Sequence, residues 1–259
     1  MITRIVRRSL VAALVLAGLL GISAPVHSRS AAGTLSGPTA VQPKRGSDPA
    51  TLVATVETDR YRLYYPILFN DKLAIREVLT HLEAAFDRVE AEMGPFKKKV
   101  SISIPAEIPS AEAAAQNLVI AGLTWEENKN VYVLVALWSA GKVDTFAHEL
   151  MHARLRDAGV HPAHWFEEGL AHFIETDDGF NQELFDVLEA YGPLSTKEAA
   201  QISGITKDEM RSRATAWAIV YYLHNIKGES LQKIATSKHL PDAKTAFAAL
   251  RKLHLQQSH

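Results

Sequence analysis

Between Thr145 and Arg154 the chain reads T-F-A-H-E-L-M-H-A-R, a helix-forming run with histidines at 148 and 152 and a glutamate at 149. Residues four apart share a helix face, so both imidazoles point the same way and can grip one divalent metal ion, most naturally zinc. Glu149 stands beside that face rather than on it. There it can reach a metal-activated water without being a ligand itself. With 11 histidines and 18 glutamates in 259 residues, shuffling this composition yields roughly 0.03 chance matches to H-E-x-x-H. The competing reading is a surface helix carrying two solvated histidines.

A two-histidine site needs a third protein ligand, and two histidines with one glutamate form a recognised catalytic zinc set. A second helical run, His164 to Glu175, follows closely, with Pro162 suited to its entrance. Glu168 is the best third-ligand candidate, because the chain after His152 is long enough to leave one helix, turn and bring a second back against it.

These residues carry a family resemblance. H-E-L-M-H followed by W-F-E-E-G-L-A (Trp165 to Ala171) resembles the gluzincin peptidases, the group of thermolysin and the aminopeptidase N-like enzymes. The stretch from about Tyr61 to Phe247 resembles compact bacterial peptidase MA-like domains, including a W-A-x-V-x-Y-L helix seen here as Trp217 to Leu223. The resemblance implies a zincin-like α+β fold. In it an N-terminal mixed β-sheet with a packed helix precedes a mainly helical C-terminal half, and the metal site lies at their junction. It also implies zinc, one ion per chain, held by His148, His152 and Glu168, with Glu149 as general base. The gap from His152 to Glu168 is shorter than in the aminopeptidase-like enzymes. Where thermolysin-like enzymes place a bracing Asp, this chain has His172. Glu175 is the alternative brace, and Glu167 and Glu175 are the remaining ligand candidates.

In peptide hydrolysis by such a site, binding lowers the pKa of water from about 15.7 toward ~7 and a general base takes its proton. The developing oxyanion needs a further donor. Related domains often carry a Tyr four positions before the W-A-x-V-x-Y-L segment, and this chain has Arg213 there. Tyr221, Tyr222 and His224 are the other candidates, each also readable as ordinary packing or surface. Asn130 to Val135 is β-rich. In gluzincins an edge strand lies there and an extended peptide pairs with it. A near-continuous apolar run equally suits an interior strand.

The chain opens with Arg4, Arg7 and Arg8, followed by a 13-residue apolar run from Leu10 to Ile22 and then small residues. That run is short for a membrane span, which needs about 20 residues, so residues 1–28 read as a signal peptide. An uncleaved membrane anchor is the alternative. The expected destination is periplasmic or secreted, with no stable membrane insertion after cleavage. Residues 29–51, rich in Gly, Ser, Pro and Ala, read as a flexible linker. Residues 52–259 read as one domain. Absence of cysteine removes disulfides and thiolate metal sites. With 28 basic and 29 acidic residues, nothing resembles a nucleic-acid footprint, and the expected partner is a peptide or protein substrate.

Elsewhere, 54–65 reads as a strand, 71–93 as an amphipathic helix with Val78, Leu82, Phe86 and Val89 near one face, and 99–104 as a strand. Asp144 is the expected N-cap of the metal helix, Ser195 with Glu198 forms a capping-box pattern, and the chain after Glu175 reads as all-helical. The leading expectation is an exported zinc peptidase. Its rivals are a zinc-binding pseudopeptidase or envelope binding module without hydrolysis, and a zinc hydrolase acting on another acyl or amide bond.

Overall fold

In the computed structural model, residues 39–40, 53–66, 72–104, 122–135, 140, 142–202 and 207–257 are described. The segment read as a signal peptide, and all of the linker stretch but Thr39 and Ala40, lie outside them. Those two residues form β1 (Thr39–Ala40) and pair antiparallel with β2 (Val53–Glu57).

The run read as one strand over 54–65 is a hairpin of β2 and β3 (Tyr61–Pro66), paired antiparallel. Thr58 makes the bend: its hydroxyl accepts from the backbone N–H groups of Arg60 and Tyr61 at 3.2 and 3.1 Å. Alternation continues on both sides of the turn, so period alone does not mark the fold-back. Helix α1 (Lys72–Met93) crosses over to β4 (Val100–Ser103), which pairs parallel with β3. Strand β5 (Gly122–Glu127) and strand β6 (Asn130–Val135) form a second hairpin. Its two-residue turn, Asn128–Lys129, has φ of 50° and 64°, the left-handed pair that matches strand twist in tight hairpins.

The sheet order is β1-β2-β3-β4-β6-β5, with β6 parallel to β4. Asn130–Val135 is therefore interior, and the edge beside it is β5. One face of the sheet is apolar, with Tyr61, Leu63, Val100, Ile102, Val131, Val133 and Val135 buried. Against it lies the apolar side of α1, with Val78, Leu82, Phe86 and Val89 buried.

Helix α2 (Val143–Ala158) also packs on β5, β6 and α1. Its N-cap is Lys142, not Asp144, which sits inside the first turn and accepts from the backbone N–H of Thr145 at 2.9 Å. Its charge still complements the positive helix start. The helix ends at Gly159 in the left-handed region (φ 72°), whose N–H returns to the Arg156 carbonyl.

The rest is helical: α3 (His164–Ile174), α4 (Gln182–Tyr191), α5 (Thr196–Ala199), α6 (Lys207–Tyr221) running into a π-helical turn (Tyr222–Ile226), α7 (Leu231–Ala235) and α8 (Ala243–Gln257). The Ser195–Glu198 capping box is present on α5. Helix α3 lies on α6 so closely that a Cβ at Gly169 would come within 2.4 Å of Ala216 Cβ and 2.8 Å of the Trp217 backbone nitrogen. The fold class is thus α+β, a mixed sheet followed by a helical half. No described helix is long and apolar enough to cross a membrane.

Candidate metal centre

The site forms where α2, seated on the sheet, meets α3, seated on α6. His148 and His152 stand one turn apart on α2, and their Nε2 atoms are 3.2 Å apart. Across from them on α3, Glu168 places Oε1 at 3.4 Å from His152 Nε2 and Oε2 at 3.9 Å from His148 Nε2. These three residues are grouped so that they can hold a metal ion.

What fixes the rings is a carboxylate on the far side of each. The Nδ1 of His148 is 2.7 Å from Glu175 Oε1, and the Nδ1 of His152 is 2.7 Å from Glu167 Oε1. An Nδ1–H donated outward leaves each Nε2 lone pair facing inward, the tautomer a metal ligand needs. The braces are themselves held. Arg156 donates to Glu167 at 2.8 Å and to the His152 carbonyl at 3.0 Å. The Asn181 amide donates to Glu175 Oε2 at 3.2 Å while its oxygen caps α4. His172 also reaches Glu175 Oε1, at 2.9 Å, and packs edge-on to His148. Glu167 and Glu175, the alternative ligands by sequence, thus stand behind the histidines, and Glu175 takes the bracing position. A second grouping, His148, His172 and Glu175, is this brace.

So many acceptors at short range demand positive charge. Burial works against a charged His148, but its hydrogen bond with Glu175 and the fields of Glu175, Glu149 and Glu168 win and push its pKa up to about 9. Burial tends to raise Glu175, yet His148 and His172 hold its pKa down at about 2. Glu168 is likewise kept below the usual carboxylate range, because His148, His152, Arg213 and His172 outweigh its burial. A proton can meet that demand, and so can a divalent cation held by the three grouped residues.

Glu149 is buried and is not among the grouped ligand atoms. Its side chain turns toward β5. The Thr124 hydroxyl lies 2.6 Å from Glu149 Oε2 and 3.1 Å from its backbone carbonyl. Two residues earlier on the same strand, Gly122 leaves room: a Cβ there would fall 2.5 Å from Glu149 Cγ and Oε1. Sequence reading missed β5 and both contacts, although the polar Asn128–Lys129 pair between two β-rich runs marks the hairpin.

The candidate oxyanion donors separate. Arg213 reaches the site, with Nε 3.5 Å from Glu168 Oε2 and Nη2 held by Glu209 at 2.6 Å. Its Nε is buried and makes no hydrogen bond among the described residues. Tyr221 instead lies in an aromatic cluster with Phe173, Phe180 and Trp217. Tyr222 is contacted by the Lys227 ammonium, and His224 bonds to the Glu229 carbonyl at 2.9 Å. His164 is largely exposed, 3.9 Å from Glu168 Oε1. Compared with models of known protein families, with curated proteins and with solved structures, the chain has no match.

Proposed function

We propose that this chain is an exported zinc-dependent peptidase of the gluzincin type. The observation that carries the reading is a buried carboxylate, Glu149, set beside a His-His-Glu metal group but outside it. A purely structural metal site has no use for such a base and usually closes its fourth position with protein.

The donor set fits zinc. Bonds of about 2.0–2.1 Å in a tetrahedron put ligand atoms about 3.3 Å apart. The two Nε2 atoms are 3.2 Å apart, with one Glu168 oxygen 3.4 Å from His152 Nε2 and the other 3.9 Å from His148 Nε2, and one ligand atom from each residue lies within 4.8 Å of the other two. Nitrogen and carboxylate donors, each imidazole backed by a carboxylate, are typical of zinc. Held by His148, His152 and Glu168, zinc would supply a Lewis acid and a water of lowered pKa.

The protein's own groups do the rest. Glu149 takes the proton of the attacking water and delivers it to the leaving amine. Arg213, whose Nε stands 3.5 Å from Glu168 and makes no hydrogen bond among the described residues, is the donor to the substrate carbonyl oxygen as negative charge develops there. An extended peptide lies along β5, whose outer side is unpaired among the described residues. That strand runs past Glu149, so a peptide paired with it is carried to the base.

Glu149→Gln keeps the shape and removes the base. Zinc content should stay at the wild-type level while hydrolysis of a fluorogenic peptide library falls about 10²–10⁴-fold. Hydrolysis at the wild-type rate by the Gln variant would sink the mechanism. Zinc-loaded wild type that cleaves no peptide would favour a zinc-binding module without hydrolysis.

A further inference from the structure

We infer that Thr124 is a positioning residue for Glu149, and that β5 fixes the base with a hydroxyl at one position and the missing side chain of Gly122 at another. The inference rests on the proposed hydrolytic role of Glu149, but its geometry stands independently of that role.

A glutamate side chain has three rotatable bonds and in solution samples many positions. As a base it must keep one, because a misplacement of about 1 Å can cost on the order of 10²-fold in rate. Metal ligation does not hold Glu149 in place, since it is outside the ligand group. The hold comes from β5. Thr124 and Gly122 sit two apart and so share the face of the strand that looks onto α2. Across the hairpin they stand opposite Val133 and Val135, both buried on that face. On the neighbouring strands the positions of this face are Val131, Val133, Val135, Val100 and Ile102, all buried; on β5 the pattern is broken by a small gap and a polar group.

The contact is specific in its chemistry. Thr124 is buried, and its hydroxyl meets Glu149 Oε2 at 2.6 Å, a length typical of a hydroxyl donating to a carboxylate. Among the described residues Oε2 is the carboxylate oxygen that Thr124 engages, while Oε1 lies over Gly122. A hydroxyl also accepts. With a proton on Oε1 the Thr124 hydroxyl still donates to Oε2; with a proton on Oε2 the hydroxyl accepts it and turns its own hydrogen to the Glu149 carbonyl, 3.1 Å away. The base therefore keeps one place on β5 through turnover. Because β5 is also the edge strand, the same element that would seat a peptide sets the position of the base.

The test is a comparison of wild type, Thr124→Val and Thr124→Ser, purified as the full chain and supplied with zinc. Valine keeps the volume and removes the hydroxyl; serine restores it. With a fluorogenic peptide, Thr124→Val should lower kcat about 10–100-fold with KM within about twofold, and Thr124→Ser should recover most of the loss. Zinc content and melting temperature separate this from a folding defect. Crystal structures of wild type and Thr124→Val supply a readout free of activity. Glu149 should hold a single rotamer on Thr124 in the former and spread over several in the latter. An unchanged kcat, or an unmoved and ordered Glu149 in the valine variant, would overturn the inference. If wild type hydrolyses nothing, the peptidase reading falls, and the Glu149 rotamers still decide the role of Thr124.

Discussion

Three glutamates surround the two histidines, and their places along the chain decide what each does. Glu167 and Glu168 are neighbours on α3, roughly 100° apart around the helix axis. One therefore reaches the outer nitrogen of His152 and the other the inner nitrogens of both rings. Glu175, beyond the end of α3, comes behind His148. Loss of a brace should weaken metal binding without removing a ligand. Glu175→Ala is expected to lower zinc affinity about 10–100-fold, read by competition with a chromogenic chelator. An affinity equal to wild type would show that the ring needs no brace. His148 and His152 were legible from spacing, because helix geometry fixes which side chains share a face; Glu168, on another helix, was legible from the length of intervening chain and from the W-F-E-E-G-L-A resemblance. Glu175 was legible as a brace from its place one helical turn beyond His172, whereas the place of Glu167 behind His152 was not, because it depends on how α3 lies against α2. Arg213 was a candidate by position and is placed at Glu168; Tyr221, on the same helix, faces the aromatic core.

At the scale of elements, two close approaches build the site. Strand β5 against α2 positions Glu149, and α3 against α6 carries Glu168. The second depends on Gly169, since any Cβ there meets the backbone of α6. Overpacking of this kind costs about 1–3 kcal/mol, so Gly169→Ala should lower the melting temperature in thermal unfolding. The same shift moves Glu168 on the adjacent position and should reduce zinc retained after dialysis. A variant as stable as wild type would mean the two helices part at no cost. Strand β5 shows why part of the fold was illegible. Its apolar residues, Leu123 and Trp125, face outward, and Leu123 is 53% exposed. Its inward positions are Gly122 and Thr124. The usual apolar-inward alternation is absent because space and a hydroxyl are needed where the strand passes Glu149. Strand β6, with its apolar run, was readable but sits in the interior rather than at the edge.

On the scale of the whole molecule, the sheet with α1 supplies a rigid floor, α2 lies on it, and the helical half brings α3 across. Their meeting places candidate ligands from two parts of the chain within reach of one another. The α+β class was legible because the period shifts from two to 3.6 along the sequence, and α1, β4, β6 and the two metal helices lie close to their expected bounds. The hairpin in 53–66 was not, since Thr58 turns the chain without a break in alternation. Hydrolysis of the proposed kind requires that His148, His152 and Glu168 hold zinc. The direct measurement is zinc content by mass spectrometry on the purified chain, prepared without chelators, with Glu168→Ala beside wild type. The expected result is one zinc per wild-type chain, with most of it lost in the variant. Wild type without zinc, or a variant that keeps a full complement, would contradict it.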